Sequence, residues 1–512
     1  DGSKIAALAH RSGRPERTPL ESDAVEDEID GVLMDTTTGT VVTEYINIGG
    51  TNNSVLFAPD GESFYFTTTL GDNGKPLTSG LAFEHRVRRI DANSGQIVAD
   101  ADLTRQESSG GVALTPHQLS QSGDALWVVA EGSSTLIKLD AETLEEIARA
   151  EANGLPRDVM ATESGVMVHG GNDYLLHQFD LDANLQNSTS MGTDPRTPAE
   201  ALGQQLFFGP GDTFATNYAC NSCHTDGRGD TRVWQAGPLE VHEVSRALFW
   251  LEGTAPLGWS GYTNSVRNFG VAGTAAIGAS FTTEETVGLR TYLASIMPPP
   301  AANHRTAYDG TLSEQALRGQ EVFNGSAGCV GCHDGPLATN NATYDNGITY
   351  DQTNTPSLVG VYRHGVWMKH GEATTYEDAV EQVLDWMGND SLTDDEKDDL
   401  MVYLESMTDR DFFVLNDGFA GRLDVVGVDR DLMLTLNQPV WADSVDISLT
   451  DNTGENIDID ATIDNRNIVI SPVDLLAYDT DYVLALNDAQ AFDGRELSGT
   501  TDWAFTTAKE PT

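Results

Sequence analysis

Apolar positions along the chain change period twice. Between residues ~30 and 190 short alternating runs such as Ser63-Phe64-Tyr65-Phe66 and Ala125-Leu126-Trp127-Val128-Val129 are separated by polar turns, which predicts strands. From ~195 to 410 the spacing becomes helical. Gly203-Gln204-Gln205-Leu206-Phe207 and Gly319-Gln320-Glu321-Val322-Phe323 read as two similar amphipathic helices. Each is followed by a second helix, one leading from Thr283-Glu284-Glu285 into Leu289, Tyr292 and Leu293, the other from Thr393-Asp394-Asp395 into Leu400, Tyr403 and Leu404. Threonine caps and acidic first turns fit helix starts at both places. Beyond ~415 alternation returns in runs such as Leu432-Met433-Leu434-Thr435-Leu436, Val445-Asp446-Ile447-Ser448-Leu449 and Tyr482-Val483-Leu484-Ala485-Leu486, the pattern of a β-sandwich.

The helical stretch is therefore an internal duplication, with Met297-Pro298-Pro299-Pro300-Ala301-Ala302 as its linker. In the first β region the turns Asp35-Thr36-Thr37-Thr38-Gly39, Asp91-Ala92-Asn93-Ser94-Gly95 and Asp140-Ala141-Glu142-Thr143 recur at the ~40–50-residue spacing of propeller blades. About four blades fit, and an irregular β-sandwich is the alternative. The expected fold is multidomain: a polar segment over 1–29, a partial β-propeller over 30–192 and a mainly α tandem domain over 193–412, in lobes 193–300 and 301–412. A β-sandwich over 413–512 follows.

The chemistry is concentrated in the cysteines. All four lie in Cys220-Asn221-Ser222-Cys223-His224 and Cys329-Val330-Gly331-Cys332-His333. Two thiols one helical turn apart can form thioethers to the vinyl groups of a haem, with the next histidine aimed at the iron. The competing readings are a redox dithiol and a Cys/His zinc site. Two covalent haem c groups are expected, on Cys220, Cys223, Cys329 and Cys332, with His224 and His333 as proximal ligands. Haem c is attached outside the cytoplasm in bacteria, so a periplasmic, extracellular or cell-surface location follows.

Composition narrows the partners. The chain has 79 acidic against 29 basic residues, a formal net charge of −50, which excludes a nucleic-acid role and suits a marine or halophilic source. Only six of the basic residues are lysine. No run approaches the ~20 apolar residues of a membrane span. The chain starts at Asp1, which suggests that a targeting segment and earlier blades precede it.

The central residues resemble the bacterial dihaem cytochrome c peroxidases and the related MauG-type enzymes. The resemblance rests on the two motifs, the Gly319–Phe323 run, and Asn354-Thr355-Pro356-Ser357-Leu358 followed by His370-Gly371 and Thr375-Tyr376-Glu377-Asp378-Ala379-Val380. Thr254-Ala255-Pro256-Leu257-Gly258-Trp259-Ser260-Gly261 is similar to the corresponding first-lobe segment. The β regions resemble a YVTN/lactonase-like propeller and a bacterial Ig-like domain. The resemblance implies peroxide reduction or MauG-like oxidation at the His224 haem, with hydrogen peroxide or another oxidant as substrate. Electrons would pass through the His333 haem from a small redox protein.

Two departures from the family pattern stand out. Val383 occupies the place of the family's methionine or tyrosine ligand, leaving Met387, Met368 and His370 as candidate sixth ligands. Gly365–His370 departs from the segment associated with calcium in the family, which counts against that ion. For a distal acid or base the ionisable residues nearest in sequence are Glu240, His242, Glu243 and Glu252; Trp234, Trp250 and Trp259 could carry charge. The alternatives are an electron-transfer cytochrome without substrate chemistry, and a surface protein whose propeller and Ig-like modules bind a cell-surface or protein partner while the haems sense redox state.

Overall fold

The computed structural model describes residues 2–10, 29–72, 75, 77, 82–104, 114–194, 196–209, 218–236, 241–266, 280–298, 312–345, 352–363, 366–389, 391–407, 412–416, 426–464, 466–491 and 494–510. The chain forms two compact units that do not follow chain order. The first contains residues 1–248, 266–295 and 364–379; the second contains 249–265, 296–363 and 380–512. Each expected lobe contributes to both units.

The first unit opens with four antiparallel meanders. Three strands, β1 (Lys4–Leu8), β2 (Ile29–Asp35) and β3 (Val41–Ile46), make the first; β4 (Thr51–Phe57), β5 (Ser63–Gly71), β6 (Phe83–Asp91) and β7 (Ile97–Asp102) make the second. The third comprises β8 (Pro116–Ser122), β9 (Ala125–Ala130), β10 (Thr135–Asp140) and β11 (Glu146–Glu151). The fourth comprises β12 (Pro156–Thr162), β13 (Gly165–Gly170), β14 (Leu175–Phe179) and β15 (Leu185–Ser190).

Side chains alternate across each strand, so one set faces each neighbouring meander. Tyr65 and Val87 pack with Leu126, Val128 and Ile137, and the opposite face of that third sheet, Trp127, Val129 and Leu136, packs with Val159, Val166 and Val168. These are successive packed meanders, and the described residues form no clear propeller. The four blades of the sequence reading are thus met as sheets rather than as a ring.

The last hairpin of every meander carries the same device. Asp35 accepts from the Thr37 and Thr38 amides at 2.9 and 2.8 Å, and Asp91 from Asn93 and Ser94 at 3.2 and 2.8 Å. Asp140 accepts from Glu142 and Thr143 at 3.0 and 2.8 Å, and Asp180 from Asp182 and Asn184 at 2.9 Å each. Aspartate does this because its short side chain reaches the amides two residues on and three, or at Asp180 four, residues on.

The duplicated helices form two matching pairs. In the first unit α1 (Pro198–Phe208), capped by Thr197, crosses a later helix, Thr283–Ser295. The crossing is possible because position 203 is glycine: a Cβ there would lie 1.9 Å from the Gly288 carbonyl oxygen. In the second unit Glu314–Asn324, capped by Ser313, crosses Asp394–Glu405, and a Cβ at Gly319 would lie 1.9 Å from the Asp399 carbonyl oxygen. Phe207 meets Tyr292 at 5.2 Å between ring centroids, and Phe323 meets Tyr403 at 5.3 Å. Leu289, Leu293, Leu400 and Leu404 are buried beneath.

In the second unit a sandwich follows. One sheet orders its strands Ile459–Asp464, Asn467–Pro472, Leu432–Leu436, Phe412–Asn416 and Leu497–Ser498, and the other Asn456–Ile457, Asp446–Asp451, Asp481–Asp488 and Asp502–Thr506. Leu432, Leu434, Ile468, Ile470, Leu484, Leu486, Trp503 and Phe505 fill the space between. With this sandwich and the meanders the molecule is mostly β, and its helical part is modest against the mainly α centre expected. No described helix is long and apolar enough to cross a membrane. The Pro299–Ala302 part of the expected linker lies outside the described residues, as does most of the 1–29 segment.

Candidate functional site

Both Cys-x-x-Cys-His segments close the same short helical turn. The first is helix α2 (Cys220–Cys223), where the His224 amide donates to the Cys220 carbonyl at 2.9 Å; at the second the His333 amide donates to the Cys329 carbonyl at 2.9 Å. The imidazoles are tethered alike. His224 Nδ1 donates to the Arg246 carbonyl at 2.8 Å, and His333 Nδ1 to the Ala338 carbonyl at 3.0 Å. A carbonyl can only accept, so each Nδ1 carries the proton and each Nε2 presents its lone pair.

The four thiols are unpaired. Burial pushes the Cys220 thiol up to about 12, the Cys329 thiol up to about 11 and Cys223 well above its ordinary range. Burial also lowers both histidines, which keeps them neutral. Protonated thiols beside neutral imidazoles do not suit a reactive dithiol, whose nucleophile is the thiolate. Among the described residues no three His, Cys, Asp or Glu side chains converge as a metal site, so the zinc reading has no ligand set there. What the geometry does fit is a haem: two thiols on one turn, an oriented Nε2, and at the first motif an apolar wall. Leu77, Ala82, Phe83, Tyr218 and Trp234 pack with Cys220 and Cys223. Phe83 lies 4.9 Å from Trp234 and 5.5 Å from Tyr218 between ring centroids.

The two motifs differ in cover. Asn221 and Ser222 are buried, whereas Val330 is 37% exposed and a Cβ at Gly331 would meet nothing within 4 Å.

Behind the first motif lies a buried polar group that the linear pattern did not flag. Asp230 accepts from Trp234 Nε1 at 2.8 Å and from the Ser245 hydroxyl at 2.5 Å, and its carboxylate lies 3.8 Å from Arg232. The Arg232 guanidinium rests on β5 and the segment before β4, where Gly71 and Gly50 make room: Cβ atoms there would be 3.1 and 2.9 Å from it. The only sequence trace is the alternation Asp230-Thr231-Arg232-Val233-Trp234 entering β16 (Val233–Ala236).

The expected distal candidates scatter. Glu243, on β17 (Val241–Val244), pairs across the hairpin with Trp234 and lies 3.6 Å from the buried Lys369 ammonium. His242 pairs through its backbone with Gln235, but its side chain, that of Glu252, and all of Glu240 lie outside the described residues. Trp259 is in the second unit, its carbonyl accepting from the Asn354 amide at 2.6 Å. Met368 and His370 belong to the first unit, whereas the second motif belongs to the other. Met387 shares the second unit with that motif, its methyl carbon 3.8 Å from where a Cβ at Gly328 would stand.

Comparison with known proteins adds one assignment. Residues 421–507 match the family model of the bacterial Ig-like domain. This matches the C-terminal sandwich, and the Ig-like module carries the buried core described above. Over 59 residues the chain is 37% identical to cytochrome-c peroxidase IdrP1 of Pseudomonas sp. (strain SCT), covering 12% of this chain and 16% of that protein. Another 31% identity over 88 residues relates the chain to the protein of the same name in Denitromonas iodatirespirans, covering 17% and 23%. The matches thus span less than a quarter of those relatives. Among solved structures, a MauG-like protein associated with microbial copper homeostasis aligns at 16% identity with a TM-score of 0.34, over 43% of this chain and 91% of that one.

Proposed function

We propose that this chain is a dihaem c-type oxidoreductase, performing peroxide reduction or a MauG-like oxidation. One observation carries the reading: both motifs present two unpaired thiols on a helical turn and an imidazole whose Nδ1 is tied to a backbone carbonyl. The partial identity to cytochrome-c peroxidases supports it. Cys220 and Cys223 would hold one haem with His224, and Cys329 and Cys332 the other with His333. Bound haem supplies iron that changes oxidation state by single electrons and, with an open position, reacts with an oxidant.

The chain's own residues do the rest. The Arg246 and Ala338 carbonyls fix which nitrogen of each histidine is basic and raise its donor strength. Phe83, Trp234 and Tyr218 keep water from the first motif, while the open second motif suits exchange of electrons with a small redox protein. Met387 is the candidate sixth ligand that shares a unit with His333. The meanders, together with the Ig-like module, would serve attachment outside the cytoplasm. A second reading, an electron carrier without substrate chemistry, is favoured by the engagement of Glu243 with Lys369, which ties up a candidate proton acceptor.

Electron paramagnetic resonance of the oxidised and half-reduced protein tests both. A high-spin iron consumed by hydrogen peroxide is expected. Two low-spin irons inert to peroxide in both states would leave the carrier, and a protein without covalent haem would end both readings.

A further inference from the structure

Besides the apolar contact of Phe83 and the 3.9 Å approach of His10 to Asp226, the sheet segment reaches the first motif through Arg157. Arg157, at the start of β12, points its guanidinium between two carboxylates. Its Nε donates to Oε1 of Glu131, a residue 2% exposed, and its Nη2 donates to Asp226 Oδ1 at 3.0 Å. The guanidinium also lies 5.0 Å from the centroid of the Phe208 ring at the end of α1, and the Arg157 carbonyl accepts from His117 Nδ1 at 3.0 Å. The residue is thus held by a carboxylate, an aromatic face and its own backbone, a degree of restraint that a surface ion pair lacks.

Asp226 is the other end of this link, and its backbone explains why the link matters. It sits in the left-handed region at φ 51°, ψ 37°, in the turn Thr225–Gly227 that follows His224. Its amide donates to Asn221 Oδ1, inside the motif, at 2.8 Å. The Gly227 amide donates to the His224 carbonyl at 2.8 Å, and the Gly227 carbonyl accepts from the Leu248 amide at 2.7 Å. Two residues before Leu248 is Arg246, whose carbonyl receives His224 Nδ1–H. A non-glycine residue held in this conformation persists only where its surroundings enforce it.

We propose that Arg157 is a positioning residue for His224: by clamping Asp226 it holds the turn that sets the imidazole, so that the sheet segment is a working part of the first haem site. This rests on the haem reading above. Among the described residues no arginine is paired with Asp334, which with Gly335 follows His333 at the second motif, in the other compact unit. Each signal of the intact dihaem protein therefore has its own reference.

The test compares Arg157→Lys and Arg157→Met in the full-length holoprotein, reading resonance g-values and reduction potentials of both haems alongside the thermal melt. Lysine keeps the charge but lacks the planar fork that bridges two carboxylates. With a cooperative melt retained, both variants are expected to shift one haem and leave the other unchanged. The expected potential change is tenfold or more in that haem's reduced-to-oxidised ratio, about 59 mV for one electron. Glu131→Gln should move the same signal in the same direction. A shift in Arg157→Met alone would show that only charge acts and would overturn positioning. Equal movement of both haems, or of neither, would overturn it too. Absence of covalent haem in the unsubstituted protein would instead remove the functional reading beneath it.

Discussion

At the scale of single residues, burial decides which charges matter. Asp230 is 2% exposed and serves Trp234, Ser245 and Arg232 at once, so its loss strands three polar groups. Breaking such a buried pair costs about 3–5 kcal/mol, whereas an exposed one is worth ~0–1 kcal/mol. Asp230→Ala is therefore expected to lower the midpoint of urea unfolding much more than substitution of Arg318 by alanine, since the Arg318 side chain is 57% exposed although it grips Asp399 with two bonds. Equal midpoints would contradict this account. The buried aspartate was not legible in the sequence, because nothing in Asp230-Thr231-Arg232 distinguishes it from solvated turn residues. The same holds for Arg157 and Asp226, which are far apart in the chain and meet only when the Arg157 side chain reaches past the Phe208 ring in the folded unit. The cysteine motifs were legible because their chemistry is local to five residues.

At the scale of elements, the duplication is written in packing. An exposed helical glycine normally gains ~0.5–1 kcal/mol on replacement by alanine. At Gly203 and Gly319 the sign should reverse, since a methyl group would strike the backbone of the crossing helix. Overpacking of this kind costs about 1–3 kcal/mol; calorimetry of Gly319→Ala should show a lower melting temperature, and a higher one would refute the close crossing.

The hairpin aspartates give a pH dependence. Hydrogen bonds from the turn hold Asp35, Asp140 and Asp180 below the usual 3.8 through backbone amides first, and Asp91 through the Ser94 hydroxyl first. A lowered carboxyl contributes stability that is present above its unfolded value and lost as pH falls through the folded one. The meanders should therefore weaken below about pH 4, visible as a falling melting temperature there, and Asp→Asn at these turns should flatten that fall. Three of the turns were visible as a recurring sequence pattern. The fourth escapes it because Asp180 is answered by Asn184, one residue further on than the Thr or Ser of the others. What the pattern overstated was closure: strand count and spacing are local, but a ring depends on packing between sheets that no single turn encodes.

At the scale of the whole molecule, charge and connectivity dominate. A net charge of −50 repels itself at low ionic strength, and salt shortens the reach of that repulsion from about 30 Å at 0.01 M to 3 Å at 1 M. The melting temperature should rise between those two concentrations of sodium chloride, and a flat response would mean that the acidic surface carries no net penalty.

Connectivity carries a different consequence. Residues 249–265 and 364–379 take equivalent places in the two repeats, marked by the matching bridges Leu257 to Thr263 and Trp367 to Ala373, yet each is counted with the compact unit of the other repeat. Cutting the chain between the helical lobes therefore yields halves that are each missing a piece of their own body, so neither repeat is a portable module. Any shortening or shuffling of this gene that treats one haem-binding half as a self-sufficient cassette would sever both.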